Sequence, residues 1–292
     1  MNTIGTSTTG TSYRAKYFQN NFQEILRRSL VSRAICNVDE SGSKYIHNPY
    51  SNTPTALVQA LAGTYSVSAF TLTDDSLTVT DEFTYGEHVY DFEEFLTKFS
   101  IMSDRMDKIG YALKAALDIW AINELCANAT GTMSTPAGGL TTAANWPVVI
   151  ATLTSKVAGY DNYTPSGLFL VIESGDIVGL QQVQFASGFS YADAALNNGL
   201  IGHMGGVDIY VVLASTFADA TTTAASGSKT WTNAGHRVGG IKKVATLATN
   251  PARWEEKGVT GKTGKEVCGY LYAGFKLWTN LASLVVDVTV TS

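Results

Sequence analysis

One long amphipathic helix, set in a chain that otherwise reads as short strands and polar turns, most constrains what this sequence can fold into. Met106, Ile109, Leu113, Ala116, Leu117 and Trp120 recur at steps of three and four through to Leu125, with Asp107, Lys108, Lys114 and Asp118 between them. Ser103 is placed to cap the helix, and Asp104 falls in the first turn, where the helix dipole favours it. Asn128 and Gly131 end it, so a helix is predicted over 103–127.

The flanking sequence has a different character on each side. Residues 1–12 are mostly Thr, Ser and Gly. From Tyr13 to Ile35, Phe18, Phe22, Ile25, Leu26 and Leu30 predict a short basic amphipathic helix. Residues 36–90 are β-rich, with Val67, Phe70, Leu72, Leu77 and Val79 among Ser, Thr and Tyr, and Asp74-Asp75 as the expected turn. Such a hairpin has little core of its own and must lean on another surface.

After the helix, 130–144 reads as a Thr/Gly/Ala loop, and Trp146-Pro147 opens a second helix over 148–160. Leu168–Ile172 reads as a buried strand, Glu173–Asp176 turns it into a short helix over 177–183, and Val207–Val212 is a second strand. Strand, helix and strand form a compact α/β unit. Residues 218–236 read as a polar loop. The segments 238–248, 266–279 and 282–291 read as antiparallel strands, so the fold class is α+β.

Charge narrows the class further. Only 15% of the 292 residues are charged, against about 25% in typical soluble proteins, while 45% are hydrophobic. Disorder of the whole chain is excluded, and a surface of hydroxyls and amides suits a protein covered by copies of itself. The net charge is −5, which gives no global nucleic-acid signature. Its placement is uneven. Residues 1–35 carry Arg14, Lys16, Arg27, Arg28 and Arg33 against Glu24 alone, a net of +4. Residues 74–94 carry eight acids, among them Asp74, Asp75, Asp81, Glu82 and Glu87, and no Lys or Arg. The basic arm and the acidic segment can pair between copies or stand as two separately solvated faces. Three widely spaced cysteines, Cys36, Cys126 and Cys268, are not a disulfide framework. No signal peptide or continuous apolar span is present, so no membrane role is expected.

Catalytic and cofactor chemistry finds little support. His47, His88, His203 and His236 lie far apart, without metal-ligand spacing, and no nucleophile elbow occurs. Gly258-Val-Thr-Gly261-Lys262-Thr263 copies the tail of a phosphate-binding loop, but Glu256 stands where its first glycine belongs and a strand follows. A polar hairpin turn is the better reading; a nucleotide-binding enzyme using Gly261-Lys262-Thr263 is the remote alternative. Gly199, Gly202, Gly205 and Gly206 precede a strand rather than a helix and are read as structural turns. No enzyme activity, metal or cofactor is expected.

The order of these pieces is similar to that of the major capsid proteins of tailed bacteriophages, the Hong Kong ninety-seven fold. Gly199-Leu-Ile-Gly202-His-Met-Gly205-Gly206-Val207-Asp-Ile209-Tyr210-Val211 resembles that family's glycine turn and following strand. Leu168–Asp176, Asn250–Gly258 and Gly269–Trp278 resemble other stretches of it, and the resemblance spans residues 14–290. It implies an N-terminal arm (1–35), an extended β-hairpin loop (36–90), a peripheral domain with a spine helix (91–135 and 236–292) and an axial domain (136–235).

It further implies self-assembly into hexamers and pentamers of an icosahedral or prolate head, assembled in a host cytoplasm and enclosing double-stranded DNA. The arm would contact DNA or a neighbour, and the acidic segment a neighbour. An arm of 1–35 is too short to be a scaffolding extension, and a chain starting at Met1 is expected to escape proteolytic maturation, so a separate scaffolding protein is expected, with a portal and, in some relatives, a decoration protein. Lys44 sits in no motif that marks it for cross-linking. An encapsulin-type cellular shell is the alternative with the same fold.

Overall fold

The computed structural model describes the chain outside residues 1–29, 52–62, 64–66, 68, 91–100, 160–166, 188–199, 218, 225–226, 251–252, 259–262 and 292. Most of the predicted basic helix therefore lies outside the described residues. Leu30 and Val31 are not helical, so α1 (Ser32–Ile35) is a separate single turn, followed by β1 (Asn37–Asp39).

The long helix forms as predicted: α2 spans Ile101–Ala127, about 40 Å at 1.5 Å per residue. It begins before Ser103, which is therefore a helical residue and not the cap. Ile109, Leu113, Leu117, Trp120, Ala121 and Leu125 are all buried. They face a five-stranded sheet in the order β1, β12 (Ala245–Thr249), β14 (Lys265–Leu277), β13 (Arg253–Gly258), with β4 (Asp81–Val89) also paired to β14. Trp120 meets Phe83 of β4 and Phe275 of β14 edge-on, with ring centroids 5.7 and 6.1 Å apart. Trp254 of β13 fits between two glycines. A Cβ on Gly110 would lie 3.2 Å from its ring, and one on Gly269 only 2.7 Å.

A six-stranded sheet runs in the order β5 (Gly131–Ser134), β15 (Val285–Thr289), β11 (His236–Ile241), β6 (Leu168–Glu173), β8 (Val207–Val212), β7 (Leu200–Met204). β6 and β8 are parallel and joined through α4 (Ile177–Ser187), which is the predicted α/β unit. Both faces of this sheet are covered. Phe169, Val171, Tyr210 and Val238 belong to the α2 core, while Leu168, Leu170, Ile172 and Ile209 pack with Trp146, Val149 and Leu153 of α3 (Asn145–Ala158). Burial on both faces is why Leu168–Ile172 is an unbroken apolar run.

Four sequence expectations need correction. Asp74 and Asp75 are not a turn: they lie inside β3 (Leu72–Thr78), which pairs antiparallel with β2 (Tyr45–Ser51). The expected loop at 130–144 contains β5, held parallel to β15. The expected polar loop at 218–236 is a hairpin of β9 (Asp219–Ala224) and β10 (Gly227–Thr232), where the β-branched Thr221–Thr223 run suits a strand. The segment 238–248 is two strands in different sheets, and β12 and β15 each have one parallel neighbour, β1 and β5 respectively.

Candidate interaction surfaces

The β2/β3 hairpin is fastened at its base, and Leu72, Phe70 and Val67 farther out are exposed. Leu77 is 2% exposed and packs with Ala248 and Trp278, joined by Ile46 and Val79. Two residues further out, Asp75 turns its carboxylate onto the end of β14. Its Oδ2 accepts the Thr279 N–H at 2.9 Å, and Oδ1 lies 3.0 Å from Lys276 Nζ. Burial pushes the Asp75 pKa up, but the hydrogen bonds from Thr279 and Lys276 and the Lys276 charge outweigh it, and the net shift is downward. On the other face His47 Nδ1 lies 2.8 Å from Asp74 Oδ2. Toward the far end Leu72, Phe70 and Val67 are 64%, 75% and 84% exposed, and Tyr45 at the base is also exposed. Exposed apolar groups gathered on one element mark a contact surface more often than a free one.

Asp91, Glu93 and Glu94 lie outside the described residues, and the remaining acids of the segment differ in their surroundings. Glu87 receives Arg105 Nε at 2.8 Å, pinning β4 to the start of α2. Asp81 is buried and Glu82 exposed. Of the basic arm, Arg33 is described and donates to Glu40 at 2.6 Å; Arg14, Lys16, Arg27 and Arg28 lie outside the described residues. So does Gly199. Gly205 and Gly206, with φ +58° and +84°, make the tight turn between β7 and β8. Gly202 is not a turn residue: it is buried within β7, where the pairing with β8 shifts register between Leu200 and Gly202.

The phosphate-loop resemblance ends in a strand pair. β13 and β14 run antiparallel with Gly258 opposite Lys265, and Gly261 and Lys262 between them lie outside the described residues. Among the described residues no three His, Cys, Asp or Glu side chains are grouped as a metal site would need, and no helix is long and apolar enough to cross a membrane. Burial, reinforced by Asp118, pushes the Cys36 thiol up to about 12; burial and Asp287 push Cys126 up as well. Neither supplies a thiolate at neutral pH.

Two charge clusters, one buried around Arg237 and one half-buried around Lys242, have no local sequence signature. Arg237 of β11 donates through Nε to Asp176 at 2.6 Å and through Nη2 to Glu173 at 2.8 Å, with its guanidinium 5.5 Å from the Phe217 ring centre. Lys242 donates to Asp208 and to the Tyr210 hydroxyl, and His203 pairs with the same Asp208. The one hint in the sequence is Arg237 itself, a charge inside a strand whose next three residues are all buried.

No family model and no curated protein matches the chain. Solved structures do match, over nearly its whole length. The capsid of Cyanophage P-SCSP1u is 12% identical, covers 98% of this chain and 95% of its own, and superposes with a TM-score of 0.71. Mycobacterium phage Che8 is 16% identical over 94% and 97%, with a TM-score of 0.70. The capsid of a native GTA particle is 12% identical over 99% of both chains, with a TM-score of 0.66. The fold is that of phage capsid proteins, of the Hong Kong ninety-seven type.

Proposed function

We propose that this chain is a major capsid protein: a structural protein that assembles with copies of itself into the shell of a phage head. The observation that carries the reading is the hairpin. A chain with the capsid fold fastens it through Leu77 and Asp75 and leaves Val67, Phe70 and Leu72 bare for a neighbour to cover. In this reading the arm is 1–35, the extended loop 36–90, the peripheral domain 91–135 with 236–292 around α2, and the axial domain 136–235. The strands place β1 and β4, at the two ends of 36–90, in the five-stranded sheet with β12 and β14. The loop proper is therefore β2/β3. The basic arm, with Arg14, Lys16, Arg27, Arg28 and Arg33, faces packaged double-stranded DNA or an acidic neighbour, where each neutralised phosphate releases counterions. Among the described residues of the acidic segment, Glu82 is exposed and faces a neighbour in this reading. A separate scaffolding protein and a portal take part in assembly in the host cytoplasm, and a decoration protein can join the virion.

The test combines light scattering and negative-stain microscopy of the purified chain, with and without scaffold. Particles or capsomers are expected. The triple variant Val67→Ser, Phe70→Ser, Leu72→Ser should keep its urea midpoint, since exposed substitutions shift stability by only about 0.5 kcal/mol each, yet lose assembly. A sharp monomer peak for the parent chain at high concentration, or full assembly of the triple variant, would sink the reading.

A further inference from the structure

The chain leaves the six-stranded sheet at Ile241 and enters the five-stranded sheet at Ala245, so three residues, Lys242–Val244, join the two layers. Lys243 sits at φ +64°, the one non-glycine residue with positive φ among the described residues. A side chain with a Cβ disfavours that region, and such a residue stays there only where its surroundings over-determine it.

Two sets of bonds hold this turn, and they lead to different places. On one side Lys242 N–H donates to Gly167 O at 3.0 Å, next to the first residue of β6. The Lys242 side chain then reaches past β6 to β8. Its ammonium donates to the Asp208 carboxylate and, at 2.7 Å, to the Tyr210 hydroxyl, and lies 5.0 Å from the Tyr210 ring centre. Burial opposes the charge on Lys242, and the bonds to Asp208 and Tyr210 more than offset it, so the lysine stays charged. Asp208 is shared with His203 of the edge strand β7. On the other side Lys243 N–H donates to Ile35 O at 2.6 Å. Ile35 ends α1, whose Ser32 N–H donates to the buried Asp118 of α2 at 2.7 Å, and β1 after it pairs with β12.

The side chain of Lys242 thus binds the turn to the edge of one sheet, while the backbone of Lys243 binds it to the root of the N-terminal segment. We propose that Lys242–Lys243 is a strained coupling hinge, which makes the seating of residues 31–39 depend on the Lys242–Asp208–Tyr210 clamp at the β7–β8 edge. With the clamp closed, Lys243 is kept in the left-handed region and its N–H aims at Ile35. With the clamp open, Lys243 relaxes to right-handed backbone, the N–H swings away, and the α1–β1 root loosens. Hinges of this kind sit at element ends and absorb a backbone change over one or two residues. The inference is independent of the capsid reading, and neither one's failure touches the other.

Hydrogen–deuterium exchange on the full-length chain tests it. Lys242→Met should speed exchange of peptides covering 31–39 and 243–249 about tenfold, the size expected for losing one bond that gates local opening. The Lys242 side-chain contacts lie in β8, outside both peptides. Tyr210→Phe removes one bond with the shape intact and should act in the same direction, more weakly; it serves if Lys242→Met fails to fold. Lys243→Gly abolishes the strain while keeping the N–H, so in that background Lys242→Met should no longer reach 31–39. Such a double-mutant cycle isolates the coupling. The hinge is refuted if the clamp variants speed exchange only in 167–173 and 200–212, or if Lys243→Gly leaves the effect on 31–39 undiminished.

Discussion

Asp75→Ala offers the sharpest test of how the hairpin is held. Asp75 accepts the Thr279 N–H at 2.9 Å and faces Lys276 at 3.0 Å, and it lies two residues from Leu77, the hairpin's main apolar anchor. A hydrogen bond to a charged group contributes about 1.5–3 kcal/mol, while the partly exposed lysine adds at most about 1 kcal/mol. Local opening of the hairpin should become easier by about 2 kcal/mol, or about thirtyfold at 1.36 kcal/mol per decade. Amide exchange reads this directly: the β2 and β3 amides should exchange about thirtyfold faster, while those of β12 and β14 keep their rates. Asp75→Asn keeps an acceptor for Thr279 and should show a smaller effect. The sign with pH follows from a folded pKa below the ordinary 3.8. The contribution is fully present above 3.8 and is lost as pH falls through the lower folded value. Hairpin protection should fade there in the parent chain and show no such step in Asp75→Ala. Unchanged hairpin exchange, or an equal rise in β14, would refute the pin.

Two further outcomes follow from the buried contacts. Arg237→Ala strands Glu173 and Asp176 without their cation and should cost about 3–5 kcal/mol in urea unfolding of the unassembled chain; a loss under about 1 kcal/mol would show that water already serves those carboxylates. Gly269→Ala puts a Cβ 2.7 Å from the Trp254 ring and 2.8 Å from Ile109. It should cost about 1–3 kcal/mol by overpacking and shift Trp254 emission to the red, and an unshifted spectrum would mean that the ring is not seated against α2.

What the sequence disclosed depended on how local the cause was. The α2 stripe and the Leu168–Ile172 run are written in neighbouring residues, through helical spacing and two-sided burial, and both were legible. Asp74-Asp75 reads as a turn because the partners that settle Asp75 in a strand, Lys276 and Thr279, arrive some two hundred residues later. β5 hid for the same reason, since its partner β15 lies at the other end of the chain. The Thr-rich β9/β10 stretch was misread because Thr looks polar by composition but is β-branched at the backbone. The ion clusters at Arg237 and Lys242 join strands far apart in sequence, and no spacing rule reaches them.

The hairpin's attachment gives it the mechanics of a cantilever. Its fixed point is the Leu77–Asp75 stretch, and Leu72 lies three residues beyond Asp75, about 10 Å at 3.3 Å per residue. A tilt of about 10° at the fixed point displaces Leu72 by about 2 Å, from the same strand rise. Bending at its base therefore moves the hairpin by ångströms while both sheets and the long helix stay undeformed.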